Sequence, residues 1–174
     1  MCDLRLLDPP HMQFMKTFEK SITINVYVSQ VYDQLTQFEE FPYFMEGIKE
    51  VKQMDDKRLH WKAEIAGRTQ VWEAEITEQI PDLRLAWRNT SGAENSRVIS
   101  FSAQGAYRTY LNLEVQYEPE GLFENLDEAP GLVSARVSSD LSRFKHFVET
   151  RHSTNGGWRG EVSHPAEPAI ARFW

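Results

Sequence analysis

Residues Leu59–Asn89 read LHWKAEIAGRTQVWEAEITEQIPDLRLAWRN, with tryptophans at positions 61, 72 and 87. Around each tryptophan, apolar and polar residues alternate with the period of a half-buried strand. His60, Lys62 and Glu64 flank Trp61 on the opposite face. Glu73 and Glu75 oppose Trp72, Ala74 and Ile76, and Leu83, Leu85 and Trp87 form a third apolar series that Asn89 continues. The connections AGR and IPD carry turn formers, so the run reads as three antiparallel strands with an aromatic inner wall. A sheet curved around such a wall can enclose a cavity once a helix covers it.

The flanking sequence supplies the rest of that sheet. Ile22, Ile24, Val26 and Val28 alternate with polar residues, predicting a first strand over Ser21–Val28. Ser29 suits the N-cap of a short helix over Gln30–Thr36, with Val31 and Leu35 on one face. Pro42 suits the first turn of a second short helix, and Gly47 its end. Six strands are then predicted at Ile48–Met54, Arg58–Ile65, Thr69–Gln79, Leu83–Thr90, Ser96–Ala103 and Tyr107–Glu118.

From Gly121 to Thr150, Leu122, Leu126, Ala129, Val133, Val137, Leu141, Phe144 and Val148 make one apolar stripe. A helix of that length spans about 45 Å. Pro130 and Gly131 predict a kink or break, with the main helix starting near Pro130. The expected organisation is an N-terminal arm (1–17), one domain (18–150) and a Gly-, Pro- and Ser-rich tail (151–174). Trp158, Phe173 and Trp174 give that tail a means of packing on the domain, on a second copy of the chain or on another protein, with a disordered tail as the equal alternative.

Composition narrows the function. The chain has 174 residues, a net charge of −7 and one cysteine, Cys2, so it cannot form an intrachain disulfide. The acidic balance argues against a nucleic-acid partner. No apolar run reaches the roughly 20 residues needed to span a membrane, so stable insertion is not expected. The opening residues lack the features of a secretory signal, and a cytoplasmic location is expected.

Motifs for nucleotide binding, zinc hydrolysis and serine hydrolysis are absent from the sequence, and no metal or cofactor is expected. Of five histidines, His60 alone lies within the strand region, and its phase turns it to solvent with Glu73 and Glu75 on the charged face. No catalytic residue is assigned.

The phrases SITINVYVSQVYDQLTQFEEFPYFMEGIKEVKQMDD, LHWKAEIAGRTQVWEAEITEQIPDLRLAWRNTSGAEN and YEPEGLFENL carry a family resemblance. Over Ser21–Thr150 the chain resembles the polyketide cyclase/dehydrase branch of the START-like (SRPBCC) superfamily. WRGEV at Trp158–Val162 is similar to a tail seen in close relatives. The resemblance implies an α+β helix-grip fold: a curved antiparallel sheet of six to seven strands around a long C-terminal helix, with two short helices after the first strand.

It also implies that a hydrophobic small molecule, such as a lipid, quinone or polyketide-like compound, binds between sheet and helix. Two alternatives stand beside this reading: a cyclase/dehydrase-type enzyme acting on a polyketide-like or aromatic substrate, and a protein-interaction module. The candidate cavity residues are Phe41, Tyr43, Phe44 and Met45 near the mouth, Trp61, Trp72, Trp87, Asn89, Phe101 and Tyr117 on the sheet, and Val133, Arg136 and Val137 on the helix. Asn89, Arg136 and Tyr117 are the candidates for orienting a polar end.

Overall fold

A computed structural model describes residues 15–119, 131–151 and 159–163. Seven strands form one antiparallel sheet: β1 Lys16–Ile24, β2 Ile48–Gln53, β3 Arg58–Ile65, β4 Arg68–Ile80, β5 Arg84–Asn89, β6 Asn95–Ala103 and β7 Thr109–Tyr117. Their order is β1-β7-β6-β5-β4-β3-β2, so the first two strands in sequence close opposite edges of the sheet. Helix α1 (Val28–Leu35) and a 3-10 helix (Phe38–Tyr43) make the crossing between those edges. Helix α2 (Leu132–Thr150) buries Val137, Leu141, Phe144 and Val148 in the same core as the sheet's inner face. This is the helix-grip arrangement.

Local chemistry explains both the hairpins and the departures from expectation. Ala66 and Gly67 adopt φ of 51° and 74° between β3 and β4, the positive values that a tight hairpin turn requires. Strand β1 begins and ends earlier than its apolar alternation predicts. It pairs along the whole of β7, from Lys16 opposite Tyr117 to Ile24 opposite Thr109. The chain then leaves the sheet where Glu149 accepts from the Asn25 N–H (2.7 Å) and Thr109 Oγ1 donates to the Val26 carbonyl (2.8 Å). Val26 and Val28 pack on the core from outside the strand.

Helix α1 starts at Val28 rather than Gln30. The Tyr27 carbonyl receives its first bonds, and Ser29 is not the cap. The second short helix is a 3-10 turn with Pro42 near its end rather than in its first turn. Gly131 takes a φ of 97°, outside the helical range, and α2 begins at Leu132. The predicted segment Gly121–Pro130 lies outside the described residues.

Strand β4 is longer than its partner β3, which pairs it only from Arg68 to Glu75. A bulge between Ile76 and Glu78 changes the phase of its second half and turns Gln79 inward, where it is buried. The edge of β4 beyond β3 is occupied by the chain's own tail: Gln79 and Val162 exchange backbone hydrogen bonds of 2.6 and 2.8 Å. Arg159 anchors that segment through Asp33 (2.9 Å) and Asp82 (3.3 Å), so at residues 159–163 the tail packs on its own domain.

Candidate ligand cavity

The inner wall is built by register. Trp61 and Trp72 stand directly opposite each other on β3 and β4, with ring centroids 5.9 Å apart and planes within 8°. Trp87 on β5 lies 6.4 Å from Trp61 and is nearly parallel to it. Phe41 meets both Trp61 and Trp87 edge-on, Phe44 follows Phe41 at 5.1 Å, and Phe144 of α2 meets Phe44 at 4.9 Å. One continuous aromatic network therefore runs from the sheet to the closing helix, in the edge-on and stacked geometries that aromatic rings favour.

Against this wall lies a cavity of about 70 Å³, several times what one buried water requires. Its sides are Trp61, Trp72, Trp87, Ala63 and Ile65 from the sheet, Met45, Glu46, Gly47 and Ile48 from the turn into β2, and Val133, Arg136, Val137 and Asp140 from α2. A second lobe of about 40 Å³ is lined by Leu35, Phe41, Phe44, Leu141 and Phe144, among others. Met45, Trp87, Arg97, Val137 and Asp140 border both lobes.

Helix α2 holds the rim by hydrogen bonds to the turn Phe44–Gly47. Arg136 Nη2 donates to the Glu46 carbonyl (2.6 Å), Arg143 Nε donates to the Phe44 carbonyl (3.0 Å), and Asp140 accepts from the Glu46 N–H (3.2 Å). Arg143 also pairs with Asp140 and with Glu46. Gly47, at a φ of 81°, lets the Arg136 guanidinium approach where a β-carbon would stand. The rim is thus specified by a glycine in the turn and three polar side chains on one face of α2.

Ten of the thirteen residues expected at the cavity lie there: Phe41, Phe44, Met45, Trp61, Trp72, Trp87, Asn89, Val133, Arg136 and Val137. Three do not. Tyr43 is 70% exposed because the 3-10 helix turns it out, where it stacks on Phe147 at 5.9 Å. Phe101 is buried but lies under α1, edge-on to Tyr32 at 5.5 Å. Tyr117, at the far end of β7, turns its ring onto Phe18 of β1. Of the three candidates for orienting a polar end, Asn89 and Arg136 line the cavity, but Asn89 Nδ2 is engaged by the Ala93 carbonyl (2.9 Å).

Arg97 was not among the expected residues, yet it lies inside. It follows Asn95 and precedes Ile99 on the inward phase of β6, between Trp87 of β5 and Val115 of β7. Burial pushes its guanidinium below the ordinary value, Asp140 pulls the other way, and Arg136 adds to the lowering. The alternation that places Ile99 and Phe101 inward carries the signal, because extending it back two residues reaches Arg97.

The sheet's outer face carries Glu73 and Glu75. His60 Nδ1 and Glu73 Oε1 are 2.5 Å apart, and Arg88 pairs with Glu75 at 3.5 Å, all away from the cavity. Among the described residues no three His, Cys, Asp or Glu side chains gather as metal ligands. No helix among them is long and apolar enough to cross a membrane.

A curved sheet gripping one helix, with a cavity between them, defines the START-like class. The chain matches the model of the family "polyketide cyclase / dehydrase and lipid transport" over residues 24–145 and belongs to that family. It is 40% identical over 149 residues to an uncharacterized 17.2 kDa protein from the melC2-rnhH intergenic region of Streptomyces lincolnensis, covering 85% of this chain and 99% of that one.

Among solved structures it is similar to DR_A0006 from Deinococcus radiodurans (29% identity, TM-score 0.61, 77% of this chain and 98% of that one). It also resembles the Zhui aromatase/cyclase from Streptomyces sp. R1128 (17% identity, TM-score 0.65, 83% and 100%). A START superfamily protein from Mycobacterium smegmatis is a third neighbour (14% identity, TM-score 0.61, 76% and 94%). The last two likenesses speak to fold.

Proposed function

We propose that this protein binds a hydrophobic, ring-bearing small molecule between the sheet and α2. The observation that carries the reading is the stack of Trp61, Trp72 and Trp87 facing a cavity. A core built only for stability fills such space, since unfilled volume forfeits packing energy. Flat aromatic walls suit flat or polycyclic ligands, and apolar burial supplies about 25 cal/mol per Å² before ordering costs. Family membership supports a ligand of the lipid or polyketide-like kind.

A second reading, a cyclase or dehydrase, draws on one observation: Arg97 and Asp140 bring ionisable groups to the cavity. A guanidinium there can polarise a carbonyl. Proton transfer also needs a base placed against the substrate, and Asp140 is turned by its Oδ1 toward the rim, where it binds Arg143 and the Glu46 N–H. Binding is the stronger reading.

The test is mass spectrometry of small molecules released from protein purified from its native host, beside a Val133→Trp variant that fills the cavity from α2. A defined apolar compound near one equivalent, lost in the variant, is the expected result. Wild-type protein that carries no compound and binds none from a panel of lipids, quinones and polycyclic aromatics would overturn the reading.

A further inference from the structure

Resting on the reading of the cavity as a ligand site, we infer that the ligand carries an oxyanion, such as a carboxylate or phenolate, which Arg97 receives. Arg84 and Arg88 on the neighbouring strand face outward, are exposed, and pair with Glu78 (2.9 Å) and Glu75 (3.5 Å). Arg97 faces inward, is half-buried, borders both lobes of the cavity, and its side chain makes no hydrogen bond or ion pair among the described residues. A guanidinium taken out of bulk water is costly unless it is paired, and it remains charged at any physiological pH.

Asp140 acts on Arg97 through its charge, but no neighbouring carboxylate meets the guanidinium in a hydrogen bond or ion pair. The carboxylates at the cavity are Asp140 and Glu46, and Arg143 pairs with both of them. The same Asp140 oxygen that meets Arg143 also accepts the Glu46 N–H. Arg136 is a further cation, bound to the Glu46 carbonyl. Three guanidiniums thus face two carboxylates, and the one left without a hydrogen-bond partner points into an aromatic cavity. An oxyanion can accept two parallel N–H bonds from a guanidinium, while the stacked tryptophans take the apolar rings of the same molecule.

The experiment uses two ligands of one shape, 2-naphthoate and 2-naphthylmethanol, followed by quenching of tryptophan fluorescence. They are titrated into the full chain, its Arg97→Met and Arg97→Gln variants, and the cavity-filled Val133→Trp variant. Wild type should bind the acid about tenfold more tightly than the alcohol, the size of effect expected of one charge-assisted hydrogen bond. Both Arg97 variants should lose that preference and keep their affinity for the alcohol, and Val133→Trp should weaken both ligands.

Equal affinities in wild type, or a preference that survives in whichever Arg97 variant folds, would overturn the role of Arg97 while leaving the cavity reading intact. Failure of both ligands to bind, or binding untouched by Val133→Trp, would overturn the cavity reading and this inference with it. The glutamine variant keeps a polar side chain of similar reach, so the result stands if the methionine variant does not fold.

Discussion

Trp61 and Trp72 face each other across adjacent strands, their rings 5.9 Å apart and within 8° of parallel, so a single register pairing creates the centre of the cavity wall. Trp61 is buried and also touches Trp87 and Phe41, whereas Trp72 is half-buried at the wall's edge. Trp61→Ala should therefore cost about 3–5 kcal/mol in urea unfolding, and Trp72→Ala clearly less. Equal losses would mean that the stack does not centre on Trp61.

The rim depends on Arg143, which donates to the Phe44 carbonyl and pairs with Asp140 and Glu46. Because its side chain is 41% exposed, solvent weakens those pairs, and Arg143→Ala should cost only about 1 kcal/mol. The local effect should be larger than the global one. Hydrogen exchange at residues 44–47 should accelerate while the amides of β6 and β7 stay protected, and unchanged exchange at the turn would refute the role given to α2.

Arg159 ties the tail to α1 and to the β4–β5 turn through Asp33 and Asp82. Burial raises the Asp33 carboxyl above its ordinary value, and Arg159 opposes that rise. Arg159→Ala should therefore move the Asp33 titration further upward in carbon-detected NMR. A folded value above the unfolded one gives stability that is complete below the unfolded pKa and is lost as pH rises through the folded one. The variant should accordingly lose more stability at pH 7 than at pH 3, and an equal loss at both would show that the ion pairs are not felt at Asp33.

At the β2–β3 turn the sign reverses. The Lys57 N–H, and then the side chain and N–H of Arg58, hold the Asp55 carboxyl at about 2. This group is on the surface, so its readout is local. Its contribution is present above the unfolded value and is lost as pH falls toward 2. The Lys57 and Arg58 amides should stay protected from exchange at pH 5 and lose protection near pH 2, with Asp55→Ala removing the protection already at pH 5.

Much of this was legible in the sequence, because an antiparallel sheet with one dry face writes its register as alternation. That pattern located Trp61, Trp72 and Trp87, and the stripe of Val133 and Val137 located the closing helix. It did not reveal the bulge after Ile76, which turns Gln79 inward, or the exposed Leu83, which lies in the turn before β5 at 59% accessibility. Tyr43, Phe101 and Tyr117 show a second limit. An apolar phase identifies a buried face, but where along the sheet the space opens depends on what α1, the 3-10 helix and β1 cover. Arg97 was missed for the opposite reason, since a strand arginine is by default placed on the solvent face.

The central claim, a ligand cavity walled by three tryptophans, is tested most directly by indole N–H spectra during titration with 2-naphthylmethanol. The chain has five tryptophans, at positions 61, 72, 87, 158 and 174, so each signal can be assigned by single replacement. Saturable shifts confined to Trp61, Trp72 and Trp87, and abolished by Val133→Trp, are the predicted result. Shifts confined to Trp158 and Trp174, or no saturable shift at any indole, would contradict the account.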